Sequence, residues 1–119
     1  MVNQQMIGDR GTRLSPEDLA VLRDNLLEQR LFRQEQLRQI MAVPSRADDG
    51  SAGQTEVRVR LAASARMVLA DVEAALDRMA EGRYGSCRLC RRPIARERLM
   101  IVPQARYCAR CQQVREAGR

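Results

Sequence analysis

The chain has 119 residues, of which 45% are apolar, and it contains no His, no Trp, one Phe and two Tyr. So few aromatic side chains exclude a thick globular core, because aromatic residues normally supply the largest buried areas. The net charge of +6 is uneven: from residue 87 onward, nine Arg stand against two acidic residues. This composition favours paired helices with a small stapled module, and it leaves the C-terminal third strongly basic.

The N-terminal segment lacks the basic start and apolar run of a signal peptide. No stretch approaches the roughly 18 apolar residues of a membrane span. We therefore expect a cytoplasmic protein with no membrane contact, whose cysteines stay reduced.

A first long helix is predicted over residues 15–42, after a flexible N-terminal tail at 1–14. Ser15 can cap free N–H groups, Pro16 suits the first helical position, and two acidic residues follow in the first turn. The helix has an imperfect apolar stripe: Leu19, Leu22, Leu26, Leu27, Leu31, Leu37, Ile40 and Met41.

A second long helix is predicted from Thr55 to about residue 81, after a tip loop near 43–54 that is rich in Gly, Ser and Asp. Gly82 and Gly85 end it. Its apolar positions recur mostly in alternating steps of three and four, which is the rhythm of a coiled coil: Val57, Leu61, Ala65, Val68, Val72, Ala75 and Met79.

Two helices of equal length joined by a short loop favour an antiparallel hairpin over residues 15–81 in a monomer. Level ends would place Leu19 opposite Met79, Leu26 opposite Val72 and Leu37 opposite Leu61. We therefore expect Leu61, Val68 and Val72 to be buried against the first helix of the same chain. A dimeric coiled coil through the second helix is the alternative.

Four cysteines form two Cys-x-x-Cys pairs, Cys87 with Cys90 and Cys108 with Cys111, separated by 17 residues. The two-residue gap inside each pair lets both sulfurs turn toward one point, and two such pairs complete a tetrahedron around Zn²⁺. Four thiolates leave no position for water, so the predicted zinc ion is structural. Disulfides, a redox pair and an iron–sulfur centre are the alternatives.

The zinc module is predicted over residues 82–119. Pro93-Ile94 and the run from Leu99 to Pro103 are predicted to be short extended pieces, and a last short helix is predicted to begin near Cys111. The predicted fold class is thus mostly α: an antiparallel two-helix coiled-coil hairpin, a small four-cysteine zinc finger and a short C-terminal helix.

The finger carries a cluster of Arg residues, which could bind nucleic-acid phosphate, face an acidic protein or form a solvated surface. The cluster has no interleaved aromatic residues, so specific base reading is the weakest option, and we expect nucleic-acid binding to be weak or indirect. The cluster comprises Arg88, Arg91, Arg92, Arg96, Arg98, Arg106 and Arg110.

The helical hairpin followed by this finger resembles the DksA/TraR family of bacterial RNA polymerase regulators. The resemblance covers roughly residues 15–116 and is specific over 79–116. It is carried by Tyr84-Gly85-Ser86-Cys87-Arg-Leu-Cys90, Pro93-Ile94, Arg98-Leu99, Pro103 and Tyr107-Cys108-Ala-Arg-Cys111. The resemblance implies a non-catalytic protein that binds RNA polymerase at its secondary channel and inserts the hairpin tip toward the catalytic centre. Some members act with ppGpp, and the resemblance carries over no residue of this chain for that contact.

The tip departs from the family pattern, in which the best-known members carry Asp-x-x-Asp-Ala. Counting back from the finger without gaps places Ala47 at the second Asp of that pattern. Asp48 and Asp49 follow directly, and we assign them, with Arg91, Arg92 and Arg96 of the finger, as candidate partner-binding residues. The alternative for the two acids is an ordinary solvated turn.

Three functions remain open: a polymerase-binding transcription regulator, a zinc-ribbon nucleic-acid binder and a coiled-coil adaptor. An enzyme is not predicted. The chain has no His, no glycine-rich phosphate loop and no convincing acid–base pair, and its cysteines are committed to the metal.

Overall fold

The computed structural model describes residues 14–42 and 52–118. Two long helices, α1 (Pro16–Ala42) and α2 (Ala52–Ala80), pack along each other, and two short helices follow, α3 (Arg96–Ile101) and α4 (Ala109–Ala117). An isolated antiparallel bridge joins Ser86 to Pro93, and the described residues form no longer strand. The mostly helical fold class predicted from the sequence is confirmed.

The start of α1 forms as its sequence predicts. The backbone N–H of Asp18 donates to Ser15 Oγ at 2.9 Å, and the N–H of Ser15 donates to Asp18 Oδ2 at 3.1 Å. This reciprocal pair satisfies two N–H groups that lack intrahelical partners, in the manner of a capping box. Pro16 occupies the first helical position, where it has no N–H to lose.

The end of α2 is a Schellman motif. Gly82 has φ of 77°, a left-handed conformation that glycine adopts without a Cβ penalty. Its N–H donates to the carbonyl of Met79 at 3.2 Å, and the N–H of Arg83 donates to the carbonyl of Arg78 at 2.8 Å. The predicted end of the helix is thus confirmed, and the chain continues from it into the cysteine module.

The two long helices share a core that confirms the predicted hairpin. Leu26 of α1 and Val72 and Ala75 of α2 are completely buried in one cluster, and Val68 packs against it half-buried. A cluster made from both helices of one chain is the packing expected of an antiparallel hairpin, so Val72 does not need a second copy to bury it.

Near the tip, the prediction for the buried face of α2 is wrong. Leu61 is 51% exposed and Val57 is 57% exposed, whereas Ala62 is buried. Leu61 and Val57 lie four and eight residues before Ala65. Because an α-helix repeats every 3.6 residues, each step of four turns the side chain about 40° further from the partner helix, and two steps turn it about 80°. Leu61 is therefore not a buried partner of Leu37.

The structure also differs from the sequence-based element bounds near the tip. The second helix begins at Ala52, three residues before the predicted start, so Gly53 lies in its first turn. Glycine destabilises a helix mainly in the helix interior, so it is tolerated in this first turn. The predicted tail, apart from residue 14, and the tip residues 43–51 lie outside the described residues.

The run from Leu99 to Pro103 was predicted to be extended, and this is wrong: α3 covers its first half. The N–H of Leu99 donates to the carbonyl of Ala95 at 3.1 Å, and that of Val102 donates to Arg98 at 2.7 Å. Pro103 prevents continuation, because it disfavours helical backbone at the residue before it. The predicted last helix is confirmed and begins at Ala109.

A second core cluster joins the finger to the base of the hairpin. Leu22 of α1 is buried with Cys87, Ile94 and Leu99 of the finger. Burying a side chain of the Leu or Ile type contributes roughly 1.5–3 kcal/mol. The position of the four cysteines thus depends on contact with α1, which is distant in sequence.

None of the described helices is both long and apolar enough to cross a membrane.

Candidate metal centre

The first cysteine pair lies in a tight turn between the two bridge residues. The N–H of Cys87 donates to the carbonyl of Arg92 at 2.8 Å, and the N–H of Arg91 donates back to the carbonyl of Cys87 at 2.9 Å. Arg91 has φ of 66°, which closes the turn in the left-handed region. This geometry points both sulfurs of the pair to one side.

The second cysteine pair lies at the start of α4, where Cys108 is the N-cap. The N–H of Cys111 donates to Cys108 Sγ at 3.4 Å. The partial positive charge of a helix N-terminus favours a thiolate at this position. The N–H of Arg88 donates to the carbonyl of Arg106 at 2.9 Å, which ties the first turn to the chain leading into the second.

The four sulfur atoms have the spacing of a metal site. All lie within 4.8 Å of one another, and Cys90 Sγ lies 3.9 Å from Cys108 Sγ. A tetrahedral ion with Zn–S bonds of about 2.3 Å places its sulfurs about 3.8 Å apart. The cysteines are free, and 3.9 Å is far longer than a disulfide bond. The donors therefore fit one tetrahedral ion, and disulfides do not describe the site.

The thiols of the cluster differ in acidity. Burial raises the pKa of Cys87, but backbone hydrogen bonds from Cys90, Cys108 and Leu89 outweigh it and set the pKa at about 6. Burial, followed by hydrogen bonds with the other three thiols, raises the pKa of Cys111 to about 12. Because metal ligands must be deprotonated, binding of a divalent cation would release protons from the cluster.

Burial is graded across the site. Cys87 is completely buried, Cys108 and Cys111 are half-buried, and Cys90 is exposed. The described ligand set includes no carboxylate beside the thiolates. Four thiolates with no open position give a structural ion, not one that activates water.

Two ion pairs fasten the finger to the hairpin, and sequence reasoning missed both. Arg96 donates to both carboxylate oxygens of Asp18 at 3.0 Å, and Arg106 donates to Asp71 at 2.8 Å. The Arg96 hydrogen bond, followed by the backbone N–H of Ser15, lowers the pKa of Asp18 to about 2. Nothing in local periodicity signals a pair 78 residues apart.

Arg78 is a further residue that sequence reasoning missed. It is only 3% exposed, at the end of α2, and its Nη2 donates to the carbonyl of Ala105 at 3.3 Å. The available signal was its spacing: it follows Ala75 by three residues and precedes Met79 by one, on the apolar face of the helix.

The structure places the predicted partner-binding residues in different settings. Arg91 and Arg92 are exposed beside the first cysteine pair, whereas Arg96 is held by Asp18. Asp48 and Asp49 lie outside the described residues. Their partner-binding role stays a prediction.

This geometry defines a class: a helical hairpin that carries a four-cysteine zinc finger at its base. Residues 82–117 match the family model of the prokaryotic dksA/traR C4-type zinc finger. The finger is therefore of the DksA/TraR type, and the resemblance to that family predicted from the sequence is confirmed. The family match agrees with the donor set in assigning one zinc ion.

The chain is similar over 88% of its length to the structure of the transcription factor DksA2 from Pseudomonas aeruginosa, of which the match also covers 88%, with a TM-score of 0.75 and 26% identity. An uncharacterized protein from Aquifex aeolicus (strain VF5) is 38% identical over 52 residues, which are 42% of this chain. The match spans 36% of that curated relative.

Proposed function

We propose that this protein is a DksA/TraR-type transcription factor that binds RNA polymerase and inserts its hairpin tip into the secondary channel. One observation carries the proposal. The likeness to the transcription factor DksA2 extends over 88% of both chains, so it includes the hairpin as well as the finger. The proposal places the protein in the cytoplasm, as a monomer without catalytic activity.

The shape supports insertion into a narrow channel. The molecule is elongated, with extents of 67 × 33 × 20 Å. The 27 residues of α1 span about 40 Å at 1.5 Å per residue. A rod of this length could carry its tip deep into a partner while the finger at the other end stays on the outside.

The Arg-rich finger supports an acidic rim as its contact. Arg91 and Arg92 are exposed and could steer association electrostatically. Because Arg96 is engaged by Asp18, its replacement would disturb the base of the hairpin as well as the surface. A steering test should therefore use Arg91→Ala with Arg92→Ala, which we expect to slow association and leave dissociation nearly unchanged.

The first experiment is a pull-down against core RNA polymerase after nuclease treatment, with stoichiometry from sedimentation. We expect a defined 1:1 complex at physiological salt. Free duplex should bind only with a Kd of about 10⁻⁴ to 10⁻⁶ M, as sequence-independent phosphate contacts do. Nanomolar, sequence-selective DNA binding without polymerase association would favour the zinc-ribbon nucleic-acid binder.

A second experiment separates binding from regulation. Asp48→Asn with Asp49→Asn should abolish an effect on transcription and leave polymerase affinity nearly intact, because most affinity would come from the hairpin sides and the finger. The matched control is Glu56→Gln, an acid with an exposed side chain in α2, paired with Arg60. Unchanged regulation by the double variant would mean that the two acids are only ordinary residues of a solvated turn.

A further inference from the structure

An apolar groove with a volume of about 340 Å³ lies between α1 and α2 toward the hairpin tip. It is lined by Ile40 and Met41 of α1 and by one face of α2 over residues 55–66. Ala62 at its floor is only 4% exposed, whereas Met41 and Val59 at its edges are 63% and 61% exposed. Exposed apolar surface that is concave and bordered by charged residues is typical of an interaction site.

The spacing of the lining residues gives the groove the shape of a helix-binding site. In α2 four of these residues recur in steps of four, three and four, so they lie along one face of the helix: Thr55, Val59, Ala62 and Arg66. From the first to the last of them, α2 rises about 16 Å at 1.5 Å per residue, which is about three turns. Over this length a partner helix presents apolar side chains at positions i, i+4 and i+7.

Two arginines border the groove, and among the described residues no acidic side chain lines it. Arg58 and Arg66 are eight residues apart in α2, about 12 Å along the helix. Arg66 Nη2 donates to Met41 Sδ at 3.6 Å, and a thioether sulfur is only a weak acceptor. A guanidinium group has five N–H donors in a geometry that fits a carboxylate. Arg66 can therefore bind an acidic side chain without losing a stronger bond.

We propose that this groove binds an amphipathic helix of a partner protein, with acidic residues beside its apolar stripe. The apolar side chains of that helix would pack on Ala62 and Val59. Its carboxylates would pair with Arg58 and Arg66. Met41 suits this role, because its unbranched thioether adapts to side chains of different shape. The chemistry of the groove is independent of the proposed association with polymerase.

The open sides of the groove favour a helix over a small molecule. Pockets for small ligands bury about 70–90% of the ligand surface, which requires walls on most sides. Here the edge residues Met41 and Val59 are themselves more than half exposed. A helix in a groove needs contact along only one of its faces. Duplex nucleic acid is disfavoured, because it brings phosphates but no apolar side chain to the floor at Ala62.

The test uses the full zinc-loaded chain and two synthetic helical peptides, each about four turns long. One peptide carries Leu along one face with Glu on both sides of it, and the other has Lys in place of each Glu. We expect saturable 1:1 binding of the acidic peptide by fluorescence anisotropy, with NMR shifts of the Met41 and Val59 methyl groups. The basic peptide should bind about tenfold or more weakly, because it brings like charges together.

The variant Val59→Ser with Arg66→Gln should weaken binding of the acidic peptide about tenfold or more, since it removes an apolar contact and an ion pair. Both side chains are exposed, so folding should persist, as circular dichroism and zinc content would show. The matched control is Met67→Ser with Arg60→Gln, two exposed residues of α2 that do not line the groove. It should bind within about twofold of the native chain, because distant charges are screened.

Four outcomes would overturn the proposal. Equal binding of the two peptides would mean that the groove does not select charge, and equal weakening by the two variants would mean that binding lies elsewhere. Self-association that the groove variant abolishes would place a second copy of the chain in the groove. No binding of either peptide would mean that the groove is not a docking site. Shielding of the Met41 methyl group from a soluble paramagnetic reagent would then show that the chain itself covers it.

Discussion

Arg91 holds a backbone conformation that usually belongs to glycine. Its φ of 66° lies in the left-handed region, and among the described residues it is the only non-glycine residue there. That conformation costs a residue with a Cβ roughly 1–2 kcal/mol. The turn between the cysteines requires it, because the N–H of Arg91 must reach the carbonyl of Cys87.

Comparing Arg91→Gly with Arg91→Ala isolates this strain, because both changes remove the same guanidinium. We expect the Gly variant to be more stable than the Ala variant by roughly 0.5–1 kcal/mol, the strain relieved less the extra chain entropy of glycine. Thermal unfolding of the zinc-loaded proteins measures the difference. Equal stabilities would show that the turn relaxes around any residue.

The pair of Asp18 and Arg96 couples the first turn of α1 to the start of α3. Because the folded pKa of Asp18 is lowered to about 2, the stabilisation is fully present above the unfolded value near 3.8. It is lost as pH falls from there through about 2. At neutral pH the pair is fully charged, and Asp18 is only 17% exposed.

A double-mutant cycle at pH 7 tests this link. Asp18→Asn and Arg96→Gln should each destabilise the chain, and the double variant should be less destabilised than the sum of the two. Asp18→Asn should also flatten the dependence of stability on pH below about 4. Acid also removes zinc from both proteins. The effect of Asp18 is therefore measured as the difference between the stability–pH curves of the native chain and the variant. Simple additivity would show that the contact contributes nothing.

At the scale of elements, the hairpin depends on a short, fully buried seam. Val72 is 0% exposed, whereas Leu61 on the same helix is 51% exposed. The two positions were predicted to be equivalent from their apolar spacing, so they form a natural pair for substitution.

Val72→Asp should cost about 3–5 kcal/mol, because it places an unpaired charge among Leu26 and Ala75. Leu61→Asp, the matched control, should cost less than about 1 kcal/mol, since its side chain already contacts water. Chemical denaturation of both variants measures these values. Similar costs at the two positions would mean that Leu61 is buried in solution, against this structure.

At the scale of the whole molecule, the zinc site and the base of the hairpin form one unit. Leu22 packs with Cys87, Ile94 and Leu99, and the cluster containing Leu26 lies one helical turn further along α1. Loss of the metal should therefore loosen the base of α1, while the seam further along the hairpin depends on it less.

Purified protein should contain close to one zinc per chain, and Cys87→Ser should release it. Hydrogen exchange should then speed up over residues 82–117 and the first two turns of α1, because structural zinc binding is coupled to folding. Amides between Ala62 and Ala75 should stay better protected. Ser86→Ala, at an exposed neighbour, should keep both zinc and protection. Iron with visible absorption in anaerobically purified protein would contradict the zinc assignment.

Local signals were sufficient for much of this protein. The cap at Ser15 and the left-handed stop at Gly82 each act within a few residues, so their outcome depends little on the rest of the fold. The doubled Cys-x-x-Cys spacing predicts one shared metal ion, although contact with α1 positions the cysteines. Two long helices of equal length joined by a short loop predict antiparallel pairing. For this reason the hairpin, its end points within three residues and the zinc site were predictable from the chain alone.

Other features were decided by tertiary contacts. The apolar run after Arg98 is compatible with strand or helix, and packing of Leu99 against Leu22 selects the helix. The face of α2 near the tip follows the partner helix, so Ala62 is buried and Leu61 is not. The cavity between the end of α2 and the first cysteine turn is lined by Arg78 of α2 and by Arg88 and Arg91 of the finger. Residues separated along the chain come together only when the folded elements pack, and no local pattern encodes that distance.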